Sequence, residues 1–147
     1  MYRVLLVDDE PIVLETLSSI IPWDTIGCEL IGTSRNGMDA YNKICDDYPD
    51  IVITDIKMPI MNGLDLVKHC RELYGPIPVF IVLTSYEEFQ LVRTALSYQV
   101  TDYLIKLELD PDSLSQSIRR ALDRLEEQKA SAAYKATGGK PLLQSYQ

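Results

Sequence analysis

Five short apolar runs, each followed by a stretch of helical periodicity, constrain this chain more than any other feature. The runs are Tyr2 to Val7, Glu29 to Gly32, Ile51 to Thr54, Val79 to Leu83 and Val100 to Ile105. Ile51-Val52-Ile53-Thr54 is β-branched throughout and carries no charge. A strand covered on both faces of a parallel sheet has this character. Between the runs, apolar residues recur at helical spacing, as in Val13, Leu14, Leu17, Ile20 and Ile21, or Leu114, Ile118, Ala121, Leu122 and Leu125. A fourth helix is expected over Phe89, Val92, Ala95 and Leu96. This alternation predicts an α/β fold with a parallel sheet and helices on both faces. The breakers agree. Pro11 and Asp110-Pro111 open helices, Pro22 and Gly27 bound a connection containing Trp23, and Asn36-Gly37 reads as a turn.

With 147 residues, the chain suits one domain with a real core. A net charge of −8 opposes contact with nucleic-acid phosphates. No apolar run approaches a membrane span and no basic-then-apolar start marks a signal peptide, so a cytoplasmic location is expected. Cys28, Cys45 and Cys70 are widely spaced and His69 is the single histidine. That argues against zinc and for small buried thiols in a reducing compartment. Past Lys129 the periodicity fades into Ala, Ser, Thr, Gly138-Gly139 and Lys140-Pro141. Residues 1–128 are therefore expected to form the domain, and 129–147 a linker or tail.

The chemistry gathers where the runs end. Asp8, Asp9 and Glu10 follow the first run, Asp55 the third, Thr84 the fourth and Lys106 the fifth. In open α/β sheets ligands bind outside the carboxyl ends of the strands. Each residue also has a plainer reading: the acids and Thr84 as helix caps, Lys106 as a solvated lysine. If the strand order is 2-1-3-4-5, strands one and three are neighbours and their acids crowd. Crowded carboxylates need a cation or raised pKa values. Mg2+, a hard ion with oxygen ligands, suits them. Lys106 adds a fixed positive charge and Thr84 a hydroxyl. Together these are parts of a phosphoryl-transfer site without a nucleotide, with Asp55 as nucleophile.

These residues resemble the receiver domain of two-component response regulators. The match lies in Val7-Asp8-Asp9-Glu10, in Asp55-Ile56-Lys57-Met58-Pro59 with Asn62-Gly63, in Leu83-Thr84-Ser85 and in Asp102-Tyr103-Leu104-Ile105-Lys106. It covers residues 1 to about 125. The resemblance implies a flavodoxin-like (βα)5 doubly wound sheet in the order 2-1-3-4-5, and a phosphoacceptor module rather than an enzyme in the ordinary sense. It implies phosphate from a sensor histidine kinase onto Asp55. Mg2+ would be held by Asp9, Asp55 and the Lys57 carbonyl, with Asp8 acting through water. Thr84 and Tyr103 would form the switch, Tyr103 turning from exposed to buried, while Lys57 and Tyr86 would tune the lifetime of the phosphate. The segment around Trp23 and Gly27 resembles the subgroup whose output is an AraC-type DNA-binding domain, absent from this chain. The family's usual output face is the fourth helix, fifth strand and fifth helix. On it Leu91, Tyr98, Tyr103, Arg119, Asp123 and Arg124 are candidates for a phosphorylation-dependent homodimer contact. Two positions depart from the family: Leu107 replaces a proline that is often cis, so a trans bond is expected, and Gln99 replaces a small residue.

Two other readings compete. A flavodoxin-type cofactor carrier needs a Ser, Thr and Gly-rich phosphate loop after the first strand, where Asp8-Asp9-Glu10 would repel phosphate. A pure interaction module would be expected to lack one of the acids or the lysine.

Overall fold

The structure, a computed structural model, describes residues 1–88, 90, 93–94 and 100–136. In chain order the elements are β1 (Tyr2–Val7), α1 (Pro11–Ser19), β2 (Cys28–Ser34), α2 (Gly37–Asp46), β3 (Ile51–Asp55), α3 (Gly63–Tyr74), β4 (Val79–Thr84), β5 (Asp102–Ile105) and the C-terminal helix α4 (Pro111–Ala136). Of the helix expected over Phe89 to Leu96, Gln90, Arg93 and Thr94 are helical, and its remaining positions, Leu91 among them, lie outside the described residues with Tyr98 and Gln99. The five strands form one parallel sheet in the order β2-β1-β3-β4-β5. This is the flavodoxin-like doubly wound architecture.

The period-two alternation of each strand feeds two cores. Val4, Leu6, Ile51, Ile53, Val79, Ile81 and Leu83 pack with Leu14 and Leu17 of α1 and Leu114, Ile118 and Leu125 of α4. Leu5, Val7, Val52, Phe80 and Val82 pack with Ala40 and Ile44 of α2 and Leu66, Val67 and Cys70 of α3. Trp23 closes the end of the first core. It sits in a short 3-10 turn (Trp23–Ile26) and its Nε1–H donates to the Leu17 carbonyl at 3.0 Å. Gly27 ends that turn at φ +79, a left-handed conformation that glycine adopts without a Cβ clash.

Several boundaries differ from the sequence reading. Asn36-Gly37 begins a helix rather than forming a free turn: the Asn36 side chain accepts from the Asp39 N–H at 2.7 Å, a helix N-cap. β5 begins at Asp102, two residues later than expected; Val100 is buried, and the Thr101 N–H donates to the Phe80 carbonyl at 2.9 Å just before the ladder. α4 continues past Lys129 to Ala136. Alanines 130, 132, 133 and 136 explain this, since fading apolar periodicity signals exposure while alanine remains the best helix former. Cys45 is exposed, unlike buried Cys28 and Cys70, and all three are free thiols. Among the described residues no helix is long and apolar enough to cross a membrane.

Two glycines fasten the loop after β3. A Cβ on Gly63 would collide with the Asp55 carbonyl oxygen, and one on Gly37 with the Met61 carbonyl oxygen. Both amides bond into the same loop, Gly63 N–H to Ile56 O at 2.8 Å and Gly37 N–H to Met61 O at 2.9 Å. Gly63→Ala should therefore displace backbone next to Asp55 and destabilise by about 1–3 kcal/mol, the usual cost of overpacking. Gly32→Ala, whose Cβ would meet only Leu5 Cδ1 at 4.0 Å, should stay within about 0.5 kcal/mol of the wild type. Urea midpoints decide this; equal losses at the two positions would contradict the close-approach argument.

Candidate functional site

Strand register brings the polar ends together. Val7 pairs with Thr54, Asp55 with Leu83 and Thr84 with Ile105. One residue further along, Asp8, Asp55, Thr84 and Lys106 share the carboxyl edge of the three central strands and β5. Asp8, Thr84 and Asp55 are nearly or fully buried there. Lys106 Nζ lies 2.9 Å from Asp8 Oδ2, 3.1 Å from Asp55 Oδ2 and 3.1 Å from Glu10 Oε1. The other oxygens face backbone: Asp8 Oδ1 accepts from the Glu10 N–H at 2.9 Å and Asp55 Oδ1 from the Ile56 N–H at 2.8 Å. Carboxylate oxygens of Asp8, Asp9, Glu10 and Asp55 all lie within 4.8 Å of one another. They border a hollow of about 300 Å³ lined by Asp9, Glu10, Asp55, Lys57, Ser85, Glu88 and Lys106.

The electrostatics follow from three acids sharing the half-buried Lys106 ammonium, with Asp9 beside them. Burial pushes the Asp55 carboxyl up to about 6, the nearby Asp8 charge adds to this, and Lys106 pulls the other way. Burial raises Asp8 as well, against the Glu10 N–H and Lys106. Burial would lower the Lys106 ammonium, but the Asp8 hydrogen bond and the Asp55 and Asp8 charges together raise it. Crowded hard oxygens with too little positive charge are the donor set that a divalent cation such as Mg2+ fits.

The sequence-predicted residues meet at this edge with two differences of detail. The Thr84 hydroxyl is buried but turned away, donating to the Ser85 carbonyl at 3.0 Å. Tyr103 is half-buried against the α2–α3 core rather than exposed, because on a strand one residue from the core its ring finds apolar neighbours. The Lys106–Leu107 bond is trans, as expected, the cis bond among the described residues being Ile77–Pro78. A 3-10 turn over Lys106–Glu108 takes the place of the family's proline. Lys57 and Tyr86 are both engaged at the rim. Lys57 pairs with Glu88 at 3.6 Å, and the Tyr86 hydroxyl donates to Glu108.

Glu88 had no place in the sequence reading, and Glu10 stood there only as one of the three acids after β1. Glu10 completes the Lys106 cage, and Glu88 lines the hollow. Ser85-x-x-Glu88 is a capping-box pattern that could have flagged Glu88. On the expected output face, Arg119 lines a hollow with Thr25 and Ile26 of the 3-10 turn. Arg120 instead reaches β5, its Nε 2.9 Å from Asp102 Oδ2. One residue on a helix turns a side chain by about 100°, and spacing alone did not choose between them. Asp123 and Arg124 are exposed, Arg124 pairing with Glu127 at 3.2 Å.

A family model for the response regulator receiver domain matches residues 4–119. The chain belongs to the response regulator receiver family. It is therefore a receiver domain of two-component signalling. It is 46% identical over 106 residues to the transcriptional regulatory protein YesN of Bacillus subtilis, covering 72% of this chain and 28% of YesN. The REC domain of AraT, a response regulator from Geobacillus stearothermophilus, superposes with a TM-score of 0.80 at 34% identity, covering 87% of this chain and 98% of that one. A two-component transcriptional regulator AraC from Clostridium phytofermentans gives 0.72 at 29% identity, covering 84% and 98%. This receiver chain spans between 28% and 57% of the length of the first curated relatives.

The raised Asp55 pKa has a definite sign. Its folded value of about 6 lies above the ordinary 3.8, so the folded state holds its proton more tightly than the unfolded one. Stability is full below the ordinary value and falls as pH rises through about 6. Without divalent cations at pH 7.5, Asp55→Asn should therefore be more stable than the wild type by about 1–3 kcal/mol. The gain should shrink at pH 4. Urea unfolding in EDTA at the two pH values measures this, and a destabilised Asp55→Asn at pH 7.5 would contradict it.

Proposed function

We propose that this receiver takes a phosphoryl group from a sensor histidine kinase onto Asp55, using Mg2+, to control a DNA-binding output domain of the AraC type. The observation that carries this is the Lys106 ammonium 3.1 Å from Asp55 Oδ2 inside a four-carboxylate cluster. The receiver family supports the kinase as donor, and the regulators among its relatives support the output.

Asp55 is the nucleophile: its carboxylate oxygen bonds to phosphorus as the donor's nitrogen–phosphorus bond breaks, leaving an acyl phosphate. The Ile56 N–H and Lys106 hold the carboxylate in place from its two oxygens. Asp9, Asp55 and the Lys57 carbonyl would hold Mg2+, with Asp8 acting through water. The ion supplies positive charge to the phosphoryl oxygens, where catalysis of this transfer is mostly electrostatic and positional. Lys106 contributes the second positive charge once the phosphoryl group arrives. Thr84 then exchanges the Ser85 carbonyl for a charged phosphoryl oxygen, a stronger acceptor, and Tyr103 moves deeper into the space released. The Lys57–Glu88 and Tyr86–Glu108 ties at the rim restrict water and set the lifetime of the acyl phosphate, which this module also hydrolyses slowly. The output passes through the face that includes β5 and α4, in a phosphorylation-dependent homodimer.

Intact mass after incubation with phosphoramidate and Mg2+ tests the reading. The wild type should gain one phosphoryl group. Asp55→Asn, and the wild type in EDTA, should gain none. Modification that persists in Asp55→Asn would overturn the assignment.

A further inference from the structure

Glu10 stands at the N-cap of α1, a position where a short side chain ordinarily accepts from the first helical N–H groups. Its side chain makes no capping bond. It reaches across instead to Lys106, while remaining 57% exposed. Glu10 therefore belongs both to the acid cluster and to the mouth of the hollow above Asp55. The charges at this mouth do not cancel. Lys57 is paired with Glu88. Lys106 has one positive charge to divide among Asp8, Asp55 and Glu10. The wall facing an incoming donor stays negative.

Position makes this charge selective. Asp55 is 4% exposed, at the floor of the hollow. Phosphoryl transfer runs with the attacking and leaving atoms roughly in line. The leaving group must then depart away from Asp55, outward past the mouth where Glu10 stands.

Resting on the phosphoacceptor reading of Asp55, we infer that Glu10 is a specificity-determining residue that selects phosphodonors by the charge of their leaving group. It favours donors whose cationic nitrogen departs as a neutral amine or imidazole and disfavours those that depart as a carboxylate anion. With phosphoramidate, the Asp55 oxygen–phosphorus bond forms and the nitrogen–phosphorus bond breaks. Its electron pair stays on nitrogen, already protonated, and ammonia leaves. With acetyl phosphate the bond between phosphorus and the bridging oxygen breaks, and acetate leaves carrying the pair and a full negative charge. Glu10 attracts the cationic nitrogen of the first donor and repels the developing anion of the second. A phosphohistidine side chain falls in the favoured class.

The test compares rate constants for phosphoramidate and acetyl phosphate in wild type and Glu10→Gln, followed by intact mass at saturating Mg2+. Circular dichroism confirms the fold of the variant. The ratio of phosphoramidate to acetyl phosphate rates should fall roughly three- to tenfold in Glu10→Gln, as expected for one partly screened charge at this range. Most of the change should be faster reaction with acetyl phosphate. In the wild type, raising salt should lower the same ratio by screening Glu10, a readout that does not depend on the variant folding. The inference is overturned if both donors change by one factor in Glu10→Gln, which would make Glu10 only a support for Lys106. A wild-type ratio that ignores salt overturns it equally. Failure of the wild type to react with either donor is a different result, which removes the Asp55 reading beneath it.

Discussion

The arrangement depends on one ammonium among carboxylates. Lys106 leaves β5 and meets Asp8 and Glu10 from the end of β1 and Asp55 from the end of β3. No single element could supply these groups. The site exists because parallel pairing delivers the strand ends to one edge, and the β2-β1-β3-β4-β5 order makes β1 and β3 neighbours, with only β4 between β3 and β5. The two apolar cores clamp the sheet from either face and fix the register that aligns those ends.

The same interaction places a cost where the chemistry is. One lysine cannot balance four acids, so burial and mutual repulsion hold Asp55 above its ordinary pKa. The surroundings offset this by over-determining the backbone. The loop after β3 is pinned by the close approach of Gly63 and Gly37 and by the Asn62 cap on α3, whose side chain accepts from the Asp65 N–H at 2.8 Å. Ile60 in that loop has φ +71, a conformation that costs a β-branched residue about 1–2 kcal/mol. Strain and unbalanced charge thus sit together around Asp55, inside a framework of ordinary buried strands.

Much of this was legible in the chain. Apolar runs such as Ile51 to Thr54 have the character of central strands in a covered parallel sheet, and such strands deliver their terminal residues to one edge. Asp8, Asp9, Asp55, Thr84 and Lys106 could therefore be grouped before any coordinates. What escaped depends on distances that sequence does not encode. Glu10 read as one more acid at a helix N-terminus, and only its reach to Lys106 separates it from that role. Gly63 stood only as part of the Asn62-Gly63 match, and only the carbonyl packed against it shows the close approach. Arg119 and Arg120 differ by a single step around a helix. Tyr103 was expected exposed, but a strand aromatic takes whatever apolar cover its neighbours leave. The alanine-rich end of α4 lost its apolar period without losing its helix.

Among several adjacent carboxylates, Asp55 is the one we propose to carry the phosphoryl transfer. Asp8, Asp9 and Glu10 lie within 4.8 Å of it, so the position of the acyl phosphate is the decisive observable. Borohydride reduction of the phosphorylated wild type, followed by peptide mass mapping, reads it directly, because an aspartyl phosphate is reduced to homoserine. Homoserine at position 55 alone is the predicted result. Homoserine at position 8 or 9, or phosphorylated protein that yields none, would contradict it.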